Sequence, residues 1–424
     1  MINLLLHREL LEIKSADFGQ WSSSKRPQPR YFGIGAFCVR SGRRGLLNLA
    51  SGYRFGLGRG QTGHIDAHSG ILQIRGLKPL TEEHTVAAKK QEHFRVGVIG
   101  YGGAFNMGQL HLTSMAKNEG VEVAAVCELD AERRQVAEED FPGIKTYGRV
   151  GTMLRNANLD LVTIITPHNT HAKLAVQCLN AGVHVVCEKP LAITSAEVKR
   201  MQAAAKKNKV LISTFHNRRW DGDFVVLRDL ILKEQIIGRV FRIEAGFYGY
   251  GEQGTWWRSN RKISGGAIYD WGAHFTDWIL NIVPEKIISV SGYQVKNSAW
   301  KKYDNEDHSE YTLRFHSGCT VTLTMSNLSM SPRPRWRVLG TQGAIEDAGG
   351  KYLVKTLING RQMSTEVPFA ESNWDAYYEN IFAHLRGRAD LVITPESAGR
   401  VIGVLEAANI SAARGSVPIK PAFV

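Results

Sequence analysis

From Phe94 onward the chain alternates short β-rich runs with helical patterns, and the first run ends in a glycine cluster, Gly100-Tyr101-Gly102-Gly103. No other feature constrains the fold as strongly, because parallel strands joined by crossover helices produce this alternation. The pattern predicts strands at Phe94–Ile99, Val121–Cys127, Leu161–Ile165, Val183–Cys187 and Val210–Ser213, with a short one near Lys145–Tyr147. Between them, Thr170–Ala181 sets Leu174, Ala175, Cys178 and Leu179 on one face at helical spacing. Thr194 and Glu197 form a T-x-x-E capping box that opens a helix running to Lys207. Strands this short and apolar suit a sheet covered on both faces. Together they predict a doubly wound α/β domain, a parallel Rossmann-type sheet, over residues 94–214.

Residues 215–424 read differently. Val240–Phe247, Ile287–Tyr293, Tyr311–Phe315, Thr320–Met325 and Arg335–Leu339 suggest a mostly antiparallel or mixed sheet. Gly265–Ile282 reads as a helix, and Asn373–Leu385 and Pro395–Arg414 as amphipathic closing helices. An α+β substrate domain is expected, with a role in oligomerisation. Residues 1–93 fit neither pattern. They hold 12 glycines and no sustained period, and Ser22–Arg30 and Gly52–Gly70 read as loop or disorder. This segment is expected to be either a flexible arm or untranslated sequence, with Val86 standing where a GTG start codon would begin the protein.

The net charge of +13 raises the question of a nucleic-acid partner. Residues 1–93 carry 14 basic and 7 acidic side chains, so over half of the excess sits in the segment with the least pattern. No helix-turn-helix, zinc finger or heptad-linked basic region is present, and no nucleic-acid partner is expected. No apolar run approaches the roughly 18–20 residues of a membrane helix. Met1–Leu6 lacks the architecture of a secretory signal, and Arg43-Arg44 is followed by no apolar core. The five cysteines, Cys38, Cys127, Cys178, Cys187 and Cys319, have no C-x-x-C spacing. They read as reduced thiols in a cytoplasmic protein.

The glycine cluster sits where a dinucleotide is bound in such sheets. One glycine permits the turn, a second lets backbone N–H groups approach a pyrophosphate, and a third lets helix and strand pack closely. In Gly100-Tyr101-Gly102-Gly103-Ala104-Phe105-Asn106-Met107-Gly108 the third glycine position holds Phe105. Gly108 can serve if the turn is longer. Gly100, Gly102, Gly103, Phe105, Asn106 and Met107 are therefore candidate cofactor contacts. Glu128, ending the second strand, can accept hydrogen bonds from an adenine-ribose diol, and its charge favours NAD over NADP. Arg133 and Arg134 nearby keep NADP open.

Three further segments stand out: Thr166-Pro167-His168-Asn169-Thr170-His171, Cys187-Glu188-Lys189-Pro190, and Gly265-Gly266 followed by Asp270-Trp271-Gly272-Ala273-His274 and Asp277. Glu188-Lys189 follows a strand end, where open α/β sheets place their ligand crevice. Beside a cationic nicotinamide ring the charged form of a lysine is disfavoured, which suits it to proton exchange. Asp270 and His274, four apart on an expected helix, face the same way and suit a proton relay. With the glycine turn, these segments resemble the glucose–fructose oxidoreductase/inositol 2-dehydrogenase (Gfo/Idh/MocA) family over residues 94–418.

That resemblance implies catalytic roles for Lys189, Asp270 and His274, with Asp270 positioning His274 or a neighbouring hydroxyl. It implies cofactor contacts at Thr166, Pro167, His168, His171, Glu188 and Lys189. It also implies hydride transfer between nicotinamide and a hydroxyl or carbonyl carbon of a polyhydroxylated substrate, either a sugar, a sugar acid or a cyclitol. Asn217 and Arg218, and the aromatic-cationic run Trp256-Trp257-Arg258, are candidate substrate contacts. No metal is expected, because His168 and His171 lack partners at ligand spacing. Relatives that pair their sheets imply a homo-oligomer, a dimer or tetramer. Two alternatives share the scaffold: an NAD-dependent glycosidase or epimerase, and a non-catalytic dinucleotide-binding regulator.

Overall fold

The computed structural model describes residues 91–424 and four short strands before them. Leu47–Asn48 pairs with Arg54–Phe55, and Gly63–Ile65 with Leu72–Ile74, both antiparallel. Arg54–Phe55 and Gly63–Ile65 fall within Gly52–Gly70, where loop was expected. Runs of two or three residues between glycines are too short to show a period. Ser22–Arg30, Cys38, Arg43-Arg44 and Val86 lie outside the described residues.

Residues 87–424 form one compact unit. Its first sheet has six parallel strands in the order Ile212–Thr214, His184–Cys187, Leu161–Ile164, Phe94–Ile99, Val121–Cys127, Lys145–Tyr147. The strand order reverses between Phe94–Ile99 and Leu161–Ile164, which opens a crevice at their carboxyl ends. The expected strands are all present, with ends moved by one or two residues. The Thr194 capping box is made from both sides and opens the helix Ser195–Asn208. Asp130 caps the helix Ala131–Asp140 by accepting from the N–H groups of Glu132 and Arg133.

The second sheet has eight strands in the order Ile287–Val295, His308–Phe315, Thr320–Ser326, Val240–Tyr248, Trp336–Gly340, Gly343–Asp347, Lys351–Ile358, Arg361–Pro368. All pairs are antiparallel except Val240–Tyr248 with Thr320–Ser326. The last three strands were not anticipated. Arg361–Pro368 is exposed on both faces and shows none of the alternation that marks a half-buried strand. The helix Trp271–Ile282 lies on this sheet with Phe275 and Trp278 against Trp336, ring centroids 5.6 Å apart in each pair.

Two expectations for the second half need correction. Gly265–Ile282 is not one helix. Gly265 and Gly266 have φ of 88° and 122°, and Asp270 has ψ of −91°. A 3₁₀ turn at Ala267–Tyr269 precedes the α-helix, which begins at Trp271. The helix Ala376–Leu385 was expected to close the second domain. It instead buries Tyr377, Tyr378, Ile381 and Phe382 among Phe94, Val96, Val98 and Leu112 of the nucleotide domain. Its amphipathic pattern showed that one face is buried, but not against which partner.

Candidate active site

The glycine turn builds one wall. Gly100 has φ of +100°, and a Cβ there would lie 2.6 Å from the Ile165 carbonyl oxygen. Gly108 sits inside the first turn of the helix Met107–Ala116, and a Cβ would strike the Tyr101 ring at 2.4 Å. Gly108 thus performs the close helix–strand packing that the short motif assigns to its third glycine, as expected for a longer turn. Phe105 and Asn106 hold positive φ, 94° and 48°, and Phe105 is 65 % exposed. No side chain stands within 4 Å of where a Gly102 Cβ would be, so the turn offers an open backbone surface. Glu128 accepts from the N–H of Tyr101 at 2.6 Å and of Asp130 at 3.1 Å, fixing its carboxylate beside the turn. Arg133 donates to the Tyr101 carbonyl at 3.0 Å and lies along Gly103, while Arg134 binds the carbonyls of Glu128 and Leu129.

Next to the turn lies a cavity of about 340 Å³. Most of the candidates line it: Phe105, Met107, Thr166, His168, His171, Glu188, Lys189, Asn217, Arg218, Trp257, Arg258, Asp270 and His274. Trp256 faces an adjoining cavity of about 230 Å³, which shares Asp270, Arg258, His168 and Trp271 with the first. Gly100, Gly102, Gly103, Asn106, Glu128 and Pro167 do not line the main cavity. The glycines and Glu128 belong to the turn beside it.

At the centre, Lys189 Nζ donates to Asp270 Oδ1, joining the two domains. Arg258 donates to the same oxygen at 3.2 Å. Burial would raise the Asp270 pKa, but Lys189 and Arg258 outweigh it and hold the carboxyl below its ordinary range. The expected Asp270–His274 bond is not made. Asp270 precedes the first helical residue, so helical i, i+4 geometry does not apply, and its bonded oxygen faces two cations.

His274 is 5 % exposed, and its Nδ1 is buried with no hydrogen-bond partner. Burial, reinforced by Lys189, His216, Arg218 and Arg335, pushes its pKa well below 6.5, so the imidazole is neutral at neutral pH. His168 and His171 are likewise kept neutral by burial. They hold loops: His168 Nδ1 lies 2.9 Å from the Ser264 carbonyl, and His171 has Nδ1 2.8 Å from the Pro190 carbonyl and Nε2 2.8 Å from that of Thr166, donating to one of the two when neutral. Among the described residues, no group of three or more His, Cys, Asp or Glu could hold a metal ion, and no helix is long and apolar enough to cross a membrane.

Arg258 is ringed by Phe105, Trp256 and Trp257, with the guanidinium 5.1–5.2 Å from each centroid. Phe105 and Trp256 meet edge-on at 5.7 Å. The residue that departs from the glycine motif therefore lines the cavity together with Trp257 of the aromatic loop. Arg218 lies between Trp271 and Trp374 and donates to Asp221 at 2.9 Å. Trp271 stood inside a motif already singled out, so its cavity position was open to inference. Trp374 and Phe215 carry no local signal.

Two models of one family match the chain. Residues 94–216 match the oxidoreductase family with an NAD-binding Rossmann fold, and residues 225–346 match the Gfo/Idh/MocA C-terminal domain. The chain belongs to the Gfo/Idh/MocA family of oxidoreductases. A scyllo-inositol 2-dehydrogenase (NADP(+)) of Bacillus subtilis is 26 % identical over 76 % of this chain and 94 % of its own. A myo-inositol 2-dehydrogenase of Thermotoga maritima is 28 % identical over 59 % and 74 %. The crystal structure of an NAD-binding protein from Listeria innocua superposes with a TM-score of 0.68 at 27 % identity, over 78 % of this chain and 97 % of that one.

Proposed function

We propose that the chain reversibly oxidises a CH–OH group of a small polyhydroxylated substrate, a sugar, sugar acid or cyclitol, with a nicotinamide dinucleotide. The observation that carries this reading is the meeting of Lys189, Asp270 and unpartnered His274 in one cavity beside the glycine turn. The inositol dehydrogenases among the relatives support the substrate class. The turn fits the cofactor: open backbone at Gly102, the start of the helix Met107–Ala116 for a pyrophosphate, and a fixed carboxylate at Glu128 for a ribose diol.

When bound, the nicotinamide accepts or returns the hydride. The protein's task is the hydroxyl proton. Neutral His274 has a ring nitrogen free to take it. Lys189, held by ionised Asp270, presents its ammonium to the developing alkoxide. Arg258 keeps Asp270 ionised, and Phe105 and Trp257 line the cavity beside it. A panel of inositols, sugars and sugar acids with NAD or NADP, read by absorbance at 340 nm, tests the reading. No substrate-dependent change across such a panel would sink it.

Glu128 points to NAD, because a 2′-phosphate would approach a carboxylate already fixed by two N–H groups. Wild-type protein is expected to prefer NAD by at least about tenfold in kcat/KM, about 1.4 kcal/mol. Glu128→Gln is expected to remove most of that preference, because the carboxylate charge that repels a 2′-phosphate is gone. An unchanged ratio would place discrimination elsewhere. The assembly is proposed to be a homo-oligomer, which sedimentation would test. A cytoplasmic location fits the four described cysteines, all buried and free. The two-domain enzyme is proposed to include Glu92, which pairs with Arg388 at 2.6 Å inside the same compact unit.

A further inference from the structure

Glu188 lies in the cavity wall, one residue before Lys189, with its side chain 12 % exposed. A carboxylate so placed needs partners. Its Oε2 accepts the N–H of Lys189 at 2.9 Å, and its Oε1 lies 3.0 Å from His111 Nε2. His111 is fully buried in the helix Met107–Ala116. Its Nδ1 is 2.7 Å from the Tyr378 hydroxyl, which is 2.9 Å from Thr163 Oγ1. Tyr378 comes from the helix Ala376–Leu385, which returns to the nucleotide domain from beyond the second sheet.

The protons in this chain can be assigned. An ionised carboxylate only accepts, so His111 Nε2 carries the hydrogen. In the tautomer whose hydrogen sits on Nε2, Nδ1 accepts from Tyr378, and the Tyr378 oxygen accepts from Thr163. The direction then runs one way, Thr163 to Tyr378 to His111 to Glu188, with Met115 Sδ a longer alternative for the Thr163 hydroxyl at 3.9 Å. We propose that His111 and Tyr378 are positioning residues. Through Glu188 they fix the Lys189 backbone, and so the point at which Lys189 Nζ meets Asp270 and the substrate hydroxyl.

The electrostatics agree. Burial pushes the Glu188 pKa up, but the His111 bond and Lys189 outweigh it and hold it below its ordinary value. The other ionisable groups that sense Glu188 are His171, His216, Cys187, Tyr377 and Tyr378. Burial keeps the two histidines neutral and the thiol and phenols protonated. Removal of the His111 donor leaves the carboxylate with the Lys189 N–H as its remaining hydrogen-bond donor.

The inference rests on the catalytic reading of Lys189, so its test has an arm independent of turnover. Carbon-13 NMR of carboxyl-labelled glutamates, with Glu188→Gln to assign the resonance, follows Glu188 ionisation in the full chain. His111→Leu is expected to move its titration upward by at least one pH unit. His111→Gln, which keeps a donor, is expected to restore most of the shift. Nitrogen-15 shifts are expected to show His111 protonated at Nε2. On a substrate that wild type turns over, His111→Leu is expected to lower kcat by about 10²-fold while the NADH Kd changes less than threefold. Tyr378→Phe, which removes one hydroxyl, is expected to lower kcat by about tenfold and leave KM unchanged. An unmoved Glu188 titration in His111→Leu, or full kcat in folded Tyr378→Phe, would overturn the proposal. Should wild type turn over no polyol, the functional reading fails, while the NMR titration still decides the chain.

Discussion

Lys189→Ala is expected to lower kcat by at least about 10³-fold and to change the NADH Kd by less than threefold. The size follows from what is lost. Lys189 Nζ is the one lysine ammonium among the cavity-lining residues, and it is held by Asp270 against the space where a hydroxyl would react. A charge aimed at a developing alkoxide contributes about 10²–10³-fold, and without it the proton transfer to His274 also becomes less favourable. The protein should still fold, because Asp270 keeps Arg258 at 3.2 Å and is not left as an unpaired buried charge. Cofactor binding should persist, because the glycine turn and Glu128 lie outside this cluster. Lys189→Arg is expected to rescue little. Its guanidinium keeps the charge, but its planar fork does not replace a point donor. Stopped-flow hydride transfer and NADH fluorescence titration separate the two quantities. Turnover within tenfold of wild type in folded Lys189→Ala would remove this lysine from the chemistry.

Much of the nucleotide domain was legible because its signals are local. Five of the six strands show as apolar runs, Thr194–Glu197 announces a helix start, and a glycine cluster after a strand admits few uses. The second sheet was less legible at Arg361–Pro368, where two exposed faces leave no period to read. At the site, the motif residues around Lys189, Asp270 and Arg258 converged on one cavity as their chemistry suggested. Asp270 and His274 line one cavity but make no bond to each other, because i, i+4 spacing sets helical neighbours only inside a helix. Here Gly265, Gly266 and the unusual ψ of Asp270 end the regular structure first. His111 and Tyr378 could not have been paired from the sequence. They are 267 positions apart, and a histidine in an apolar helix looks the same whether it fills space or orients a carboxylate.

The second large effect concerns stability. Arg219 and Asp277 form a bidentate pair, Nε to Oδ2 at 2.8 Å and Nη2 to Oδ1 at 2.7 Å, with side chains only 8 % and 3 % exposed. Arg219 leaves the last strand of the nucleotide sheet beside Asn217 and Arg218. Asp277 lies one turn beyond His274 on the helix Trp271–Ile282. Arg219 also donates to the Val392 carbonyl at 2.9 Å, so one guanidinium ties three segments together beside the cavity. Arg219→Ala is expected to cost about 3–5 kcal/mol, because it leaves a buried carboxylate without its counter-charge. Urea denaturation measures it directly. The pH dependence identifies the cause. In wild type, burial would raise the Asp277 pKa, but Arg219 outweighs it and holds it below its ordinary value. That contribution is therefore present above the unfolded carboxyl pKa and lost as pH falls through the folded one. In Arg219→Ala the sign reverses. Asp277 is stable in the core only when protonated, so the stability gap between variant and wild type should narrow as pH falls from 7 toward 4. Arg219→Met with Asp277→Leu, which removes both charges and keeps volume, should recover most of the loss, since an apolar pair asks for no compensation. A gap that stays constant with pH would mean that Arg219 stabilises by packing and by its bond to Val392, rather than as the counter-ion of Asp277.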